Sequence, residues 1–351
     1  MPQKLSDAVV VLTGASSGIG RAAARMFADR GATVVLAARR TEALEEVATE
    51  CRNAGANALV VQTDVRDEDQ VRHLCRTATE QFGRIDVWVN NAGVALFGRF
   101  EEVPRDVYDN VIKTNLFGYI HGARAVLPVF REQGHGVLIN NASMVAYVGQ
   151  PYTSAYVASK HAIRGLGESL RMELMDARDI HVSTVLPATI DTPLFHHAAN
   201  YTGRAAKGME PIYPAELCAA TIVQMAERPM REAFVGNSGR MLAKFHAVAP
   251  GLTERLMSRM VDRNHLRDTP APPSAGNILD PMPEWTGVSG NWRHEPSDAR
   301  ARGIGIGLLG VGAVALAYAG WRIARPAPPE PRWKRAVPVH FRPARHRHAW
   351  F

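Results

Sequence analysis

The chain has 351 residues, 46% of them hydrophobic and 21% charged, which is typical of a globular protein with room for one large α/β domain and appendages. Its net charge of +7 lies in the last thirty residues, where eight Lys or Arg accompany one Glu. The neutral remainder therefore argues against a nucleic-acid-binding protein. Three widely spaced cysteines, an odd number, give neither a disulfide framework nor a metal pattern and indicate buried thiols in a reducing compartment.

Short β-branched runs alternate with longer helical patterns from residue 8 to about residue 236. The runs are apolar throughout, which indicates strands buried on both faces of a parallel sheet that helices cover. We predict a doubly wound α/β domain, and the opening residues are interpreted as its first strand, not as a signal peptide. The predicted strands are 8–14, 32–39, 58–65, 85–93, 136–143, 180–188 and 232–236, and the predicted helices are 18–30, 41–54, 67–82, 106–130 and 156–178.

A glycine-rich turn, "TGASSGIG", follows the first predicted strand and opens a helix. Gly14 permits a tight turn, Gly18 lets the backbone approach a pyrophosphate, and Gly20 lets the helix pack closely on the sheet. The N-terminus of the helix supplies amide donors and a partial positive charge for phosphates. The sequence therefore predicts a Rossmann-like dinucleotide site at this turn.

Two arginines end the second predicted strand, where a dinucleotide site places the residue that contacts the adenosine ribose. Ala38 stands where an acid would bind the 2′-hydroxyl of NAD, whereas Arg39 and Arg40 suit the 2′-phosphate of NADP. The alternative, two solvated arginines at the start of a helix, is disfavoured because basic residues there oppose the helix dipole. We expect NADP(H) to be preferred over NAD(H).

Three side chains suggest proton-transfer chemistry. Tyr156 and Lys160 lie one helical turn apart on one face. Tyrosine has a reference pKa of about 10, and a nearby ammonium stabilises the phenolate and lowers that pKa. Ser143 ends a predicted strand, which places its hydroxyl at the sheet edge where ligands bind.

Together these motifs resemble the short-chain dehydrogenase/reductase family over residues 5 to about 240. The motifs occur in the family's order: "TGASSGIG" (13–20), "DV" (64–65), "NNAG" (90–93), Asn115 in "KTNLFG", Ser143 in "NNAS", "YVASK" (156–160) and the segment 187–192. The resemblance implies that Asp64 and Val65 contact adenine and that Ile190 and Thr192 hold the nicotinamide. With the glycine turn and the arginines, the expected cofactor-binding residues are Gly14, Ser16, Ser17, Gly18, Ile19, Gly20, Arg39, Arg40, Asp64, Val65, Asn91, Ala92, Gly93, Tyr156, Lys160, Pro187, Ile190 and Thr192.

The resemblance also implies a catalytic set of four residues. Ser143 would hydrogen-bond the substrate oxygen and Tyr156 would transfer its proton. Lys160 would bind the nicotinamide ribose and lower the tyrosine pKa, and Asn115 would anchor a water that relays protons. The implied function is hydride transfer between NADP(H) and a carbonyl or alcohol, with no metal. A non-catalytic nucleotide sensor or scaffold is the alternative, which the complete set disfavours.

Two positions depart from the family pattern. Ala188 follows Pro187 where glycine is usual, and Ser16 with Ser17 occupies the turn where many NADP-preferring members carry a basic residue. The NADP expectation therefore depends on the two arginines after Ala38 alone.

Residues 193–212 are the predicted substrate lid. Its Leu194, Phe195, Tyr201 and Met209 indicate an apolar small-molecule substrate. The adjacent histidines at 196 and 197 are interpreted as polar lid surface, because neighbouring residues point to different sides of a regular element.

The C-terminal part is predicted to be an appendage to a catalytic domain of residues 1–262. Residues 263–302 are rich in proline and indicate a linker or a surface wrap. Residues 303–321 carry no charge and as a helix would extend roughly 28 Å, close to the thickness of a bilayer's apolar core. Residues 322–351 are a basic tail suited to anionic lipid.

The segment 303–321 also contains G-x-G-x-x-G at Gly305, Gly307 and Gly310, which is a false nucleotide motif because no strand precedes it. We expect a membrane-associated protein with its catalytic domain in the cytoplasm. A single membrane span is favoured on length, the alternatives for this segment are a shallow or re-entrant interfacial helix and a buried packing or oligomer helix, and a homo-oligomer is left open.

Overall fold

The computed structural model describes residues 4–294. Their centre is a seven-stranded sheet of order β7-β6-β5-β4-β1-β2-β3, in which every neighbouring pair is parallel. All seven predicted strands are confirmed, with slightly shorter bounds. They are β1 Val9–Thr13, β2 Thr33–Ala38, β3 Ala58–Gln62, β4 Val87–Asn90, β5 Gly136–Asn141, β6 Ile180–Pro187 and β7 Glu232–Val235.

Helices cover both faces of the sheet, as the apolar strands predict. The first, second and seventh helices pack on one face, and the third and fifth pack on the other. The helices are α1 Gly18–Ala28, α2 Thr41–Asn53, α3 Glu68–Phe82, α4 Arg105–Ile112, α5 Gly118–Gln133, α6 Ser154–Glu173, α7 Ala215–Glu227, α8 Asn237–Val248 and α9 Pro250–Asn264. The strand order reverses between β1 and β4, and ligands bind at such a switch point, outside the carboxyl ends of the strands.

One irregularity interrupts the predicted helix 106–130. Between α4 and α5 the chain forms a π-helical turn, Lys113–Phe117, which contains Asn115. Such turns are rare, occur mostly as single turns inside α-helices and are frequent at functional sites. The hydrophobic periodicity did not reveal it.

The described part of the predicted proline-rich segment packs against the domain. A short strand, Leu266–Pro270, pairs antiparallel with Arg204–Ala206 of the predicted lid. Further along, Ser274 forms a β-bridge with Asn200. This stretch is therefore held by backbone pairing to the lid.

Within residues 4–294, no helix combines the length and apolarity that crossing a membrane requires. The predicted membrane segment 303–321 and the basic tail 322–351 lie outside the described residues.

Candidate active site

A continuous cavity lies at the carboxyl edge of β1, β4, β5 and β6. Of the predicted site residues, only Gly20 and Asn115 do not line it. One end reaches the two arginines after β2, and the other reaches Tyr156 and the predicted lid. The structure thus brings the predicted nucleotide and catalytic residues into one cavity.

The glycine-rich turn is shaped for close backbone contact. Gly14 has φ +65°, and a Cβ added there would lie 2.7 Å from the Ala92 Cα. A Cβ on Gly20 would lie 2.1 Å from the Gly14 carbonyl oxygen. Ser17, which precedes α1, makes no side-chain cap to the helix amides. The turn therefore has no room for a side chain at either of these glycines, and the amides at the start of α1 suit the pyrophosphate of a dinucleotide.

A polar network fixes the turn to the neighbouring strands. The Asn91 Nδ2 donates to the carbonyl oxygens of Thr13 and Gly14, at 3.1 and 3.2 Å. The Asn141 Nδ2 donates to the Asn91 Oδ1 at 2.8 Å. Because these residues lie at the carboxyl ends of β1, β4 and β5, the network holds the three strand ends in register around the cavity.

The adenosine end contains a cluster of charged groups. The Arg66 guanidinium forms a two-point ion pair with Asp64, with contacts of 2.9 Å or less to its Oδ2. Burial would raise the Asp64 pKa, but the Arg66 hydrogen bonds and the charges of Arg66 and Arg39 outweigh it and hold the pKa below its usual value. Burial lowers the pKa of Arg39 and Arg40, which the structure places side by side at the cavity wall.

At the other end, Ser143, Tyr156 and Lys160 converge. The Ser143 side chain opposes the effect of burial on the Tyr156 pKa. Burial raises the pKa of Tyr156 to about 12 and lowers the pKa of Lys160 to about 7, because it disfavours the ionised form of each. The Lys160 Nζ lies 5.4 Å from the centre of the Tyr156 ring. That Lys160 lowers the Tyr156 pKa stays a prediction.

Lys160 has a partner that the sequence analysis missed. The Lys160 Nζ donates to the Asn141 carbonyl oxygen at 2.9 Å, and the buried Tyr119 hydroxyl donates to the same oxygen at 2.8 Å. The Lys160 Nζ also lies 5.2 Å from the centre of the Tyr119 ring. In the sequence, Tyr119 follows Asn115 by four residues, about one helical turn. This spacing is only a weak signal that Tyr119 lies near the catalytic residues.

Asn115 lies fully buried behind the cavity wall. Its Oδ1 accepts from the Val94 amide at 2.9 Å, and its Nδ2 donates to the Val94 carbonyl at 3.0 Å and to the Ser159 Oγ at 3.3 Å. The side chain thus braces the backbone beside Gly93. Its part in a water relay stays a prediction.

The substrate end is mainly apolar. Leu194, Phe195 and Met209 of the predicted lid line it, whereas Tyr201 does not. His265 also lines it and was missed; its ring meets Phe195 edge-on at 5.4 Å. Burial lowers the His265 pKa to about 4, so this imidazole is neutral at physiological pH.

The interpretation of the adjacent lid histidines as polar surface is wrong. The His196 ring stacks between Trp285, at 3.8 Å, and Trp292, at 4.2 Å. His197 is buried, lines the cavity and hydrogen-bonds the Glu284 carbonyl at 3.0 Å. Both therefore hold the C-terminal extension, which the spacing of the two residues could not reveal.

The departure at Ala188 is accommodated without strain. Among residues 4–294, the non-glycine residues with positive φ are Asp7, Tyr152, Trp285 and Asn291. Ala188 thus has an ordinary backbone conformation, and its amide donates to the Val235 carbonyl at 2.9 Å.

The sequence model of the short chain dehydrogenase family matches residues 8–201, more than half of the chain. The chain belongs to this family. The chain is 39% identical over 280 residues to the uncharacterized oxidoreductase YxnA of Bacillus subtilis, covering 79% of each protein. It is 34% identical over 271 residues to the dehydrogenase/reductase SDR family member 7B of Bos taurus, covering 72% of this chain and 81% of that protein.

Solved structures of this family share the fold. A short chain dehydrogenase/reductase from Burkholderia phymatum in complex with NAD superposes with a TM-score of 0.65 at 26% identity, over 78% of this chain and 99% of that one. An alcohol dehydrogenase from Thermococcus sibiricus complexed with 5-hydroxy-NADP superposes with a TM-score of 0.57 at 28% identity, over 65% of this chain and 95% of that one. The chain is therefore an oxidoreductase with a nicotinamide dinucleotide site, and the two relatives differ in their cofactor.

Proposed function

We propose that the protein is an NADP(H)-dependent oxidoreductase that interconverts a carbonyl and an alcohol on an apolar small molecule. The observation that carries the proposal is the single cavity, which has paired arginines after Ala38 at one end and Tyr156 with Ser143 at the other. A non-catalytic nucleotide sensor would not require the Tyr156 end of the cavity.

The arginines support NADP over NAD. Ala38 cannot accept a hydrogen bond from a ribose hydroxyl through its side chain, and the guanidinium groups of Arg39 and Arg40 provide donors for a phosphate. The Arg40 Nη2 also lies 3.3 Å from the Ser16 Oγ of the glycine-rich turn. A serine hydroxyl and two guanidinium groups thus surround the position expected for a 2′-phosphate.

At the catalytic end, NADPH held by the residues of this cavity would supply a hydride to the carbonyl carbon of the substrate. Tyr156 then donates its phenolic proton to the oxygen that becomes the alcohol, and Ser143 donates a hydrogen bond to the same oxygen. Lys160 is held by the Asn141 carbonyl and in its protonated form places a positive charge beside the tyrosine. The charge favours the phenolate left after proton transfer.

The walls at this end favour an apolar substrate. Phe97, Met144, Val145 and Phe195 line the cavity together with Tyr156, and only a few polar groups accompany them. Such a pocket binds chiefly by burial of apolar surface, while the Ser143 and Tyr156 hydroxyls fix the carbonyl oxygen.

A screen of NADPH consumption with steroid, retinoid, acyl and aliphatic carbonyls tests this function. We expect at least one apolar class to be turned over, and Tyr156→Phe to abolish that turnover. NADPH binding without turnover of any class would support the sensor alternative.

Membrane association through 303–321 is a second part of the proposal and is supported by the sequence alone. Its nineteen uncharged residues lie between Arg302 and Arg322. A single span is favoured on length, whereas the basic tail also suits a shallow helix on anionic headgroups.

A further inference from the structure

The C-terminal extension contacts the dinucleotide site at the arginines after β2, at the glycine-rich turn and at the segment 191–192. We call residues 277–292 the strap; they follow the short strand Leu266–Pro270 and lie outside the family match, which ends at residue 201. Asn277, Pro281 and Met282 of the strap line the same cavity as Tyr156.

The first part of the strap holds the arginines of the adenosine end. The Arg39 Nη2 donates to the Asn277 carbonyl oxygen at 2.6 Å. The Arg40 Nη1 donates to the carbonyl oxygens of Met282 and Glu284, at 2.8 and 3.0 Å. A guanidinium carries five N–H groups, so these bonds orient each arginine and leave donors for a phosphate.

The middle of the strap contacts the glycine-rich turn. The Gly18 amide, the first residue of α1, donates to the Gly287 carbonyl oxygen at 3.0 Å. The Arg21 Nη1, one turn further along α1, donates to the Thr286 carbonyl oxygen at 2.9 Å. The strap thus passes directly over the turn expected to hold the pyrophosphate.

The end of the strap is fastened to the segment that forms the nicotinamide end. The Asp191 carboxylate accepts from the Ser289 hydroxyl at 2.7 Å and from the amides of Gly290 and Trp292 at 3.1 and 3.0 Å. The Trp292 Nε1 donates to the Thr192 carbonyl oxygen at 2.9 Å. Three donors on one carboxylate make this a strong attachment of the strap, because hydrogen bonds to a charged group are stronger than neutral ones.

We propose that the strap is the outer wall of the cofactor site at its adenosine end, and that the cofactor enters and leaves only when the attachment at Asp191 opens. The inference rests on the proposed dinucleotide function. It makes Trp292, Ser289 and the strap carbonyls positioning residues that act through Arg39, the glycine-rich turn and Thr192.

Stopped-flow fluorescence of NADPH binding to the full chain tests this wall. Trp292→Ala removes the Nε1 bond and the ring that stacks on His196, so we expect both the association and the dissociation rate constants to rise by about tenfold or more. Trp292→Phe keeps the stacking and should restore most of the slow exchange. Phe100→Ala, an aromatic truncation at a side chain that is 69% exposed, is the matched control and should leave both rates unchanged.

Ser289→Ala tests the same attachment with a smaller change. It removes one donor to Asp191, and we expect both rates to rise by a smaller factor with no loss of folding. Rate constants equal to those of the unmodified protein in both strap variants would overturn the proposal. Faster dissociation with unchanged association would also overturn it, because the strap would then contact the bound cofactor without controlling its entry. If the unmodified chain binds neither NADPH nor NADH, the proposed function fails instead.

Discussion

The two ends of the cavity are built differently. The catalytic end comes from consecutive elements of the sheet, with Ser143 after β5, Tyr156 and Lys160 on α6, and the Asn141 carbonyl between them. The adenosine end needs chain from far along the sequence, since Arg39 is bonded to the strap 238 residues later. The residues expected to carry the chemistry are therefore close together in the sequence, whereas those expected to retain the cofactor include a segment far along the chain.

The largest expected effect is at the catalytic end. Tyr156→Phe removes the proton that the substrate oxygen receives, so we expect kcat to fall by roughly 10² to 10⁴-fold while the Kd for NADPH stays near normal. Steady-state kinetics and fluorescence titration measure the two quantities. Tyr201→Phe is the control, because Tyr201 does not line the cavity and should retain activity. A Tyr156→Phe enzyme with most of its activity contradicts the mechanism.

Lys160→Ala distinguishes the roles of the two residues on α6. We expect a loss of turnover and also weaker NADPH binding, because Lys160 is expected to contact both the tyrosine and the nicotinamide ribose. Titration of NADPH against this variant and against Tyr156→Phe compares them. Unchanged NADPH affinity in Lys160→Ala would mean that Lys160 does not contact the nicotinamide ribose.

At the adenosine end, replacing Arg39 and Arg40 with Ala should weaken NADPH binding by about 10² to 10⁴-fold, since each charge-assisted contact contributes roughly 1.5–3 kcal/mol. NADH binding should weaken much less, and only through the loosened strap. Arg105→Ala, at a side chain 88% exposed and paired with Asp109, is the matched control. Equal weakening of NADPH and NADH binding would mean that the two arginines only hold the strap and do not bind the 2′-phosphate.

A smaller effect concerns the pH dependence of stability at the substrate end. His265 has a pKa of about 4 when folded, against about 6.5 when unfolded, so below pH 6.5 the unfolded chain binds a proton that the folded one excludes. His265 therefore makes the free energy of unfolding fall as pH falls from 6.5 to about 4, by about 1.4 kcal/mol per pH unit at most. His265→Phe should remove that slope in denaturant titrations. An unchanged slope would mean that His265 is protonated in the folded protein.

The smallest expected effect on activity is from truncation. Deletion of residues 300–351 leaves the cavity and the strap intact, so NADPH-dependent turnover should be unchanged while the protein leaves the membrane fraction. Fractionation of both forms without detergent measures this. A full-length protein already absent from membranes would contradict the anchor.

The sequence predicted the sheet because its strands are continuous apolar runs, and it predicted most of the cavity because the glycine turn, the arginines and the "YVASK" motif are local patterns. It did not predict the strap, because residues 277–292 act through backbone carbonyls and amides, which any residue supplies. The partners that do use side chains, His196 with Trp292 and Asp191 with Ser289, are 96 and 98 residues apart. The π-helical turn at Asn115 was missed for a related reason, since one extra residue barely disturbs helical periodicity.

The most direct test of the account is the affinity of the unmodified full-length protein for the two cofactors. Titrating it with NADPH and with NADH under identical conditions measures whether the adenosine end binds a 2′-phosphate. We expect NADPH to bind at least about tenfold more tightly than NADH, the equivalent of one charge-assisted hydrogen bond. Equal dissociation constants would contradict it.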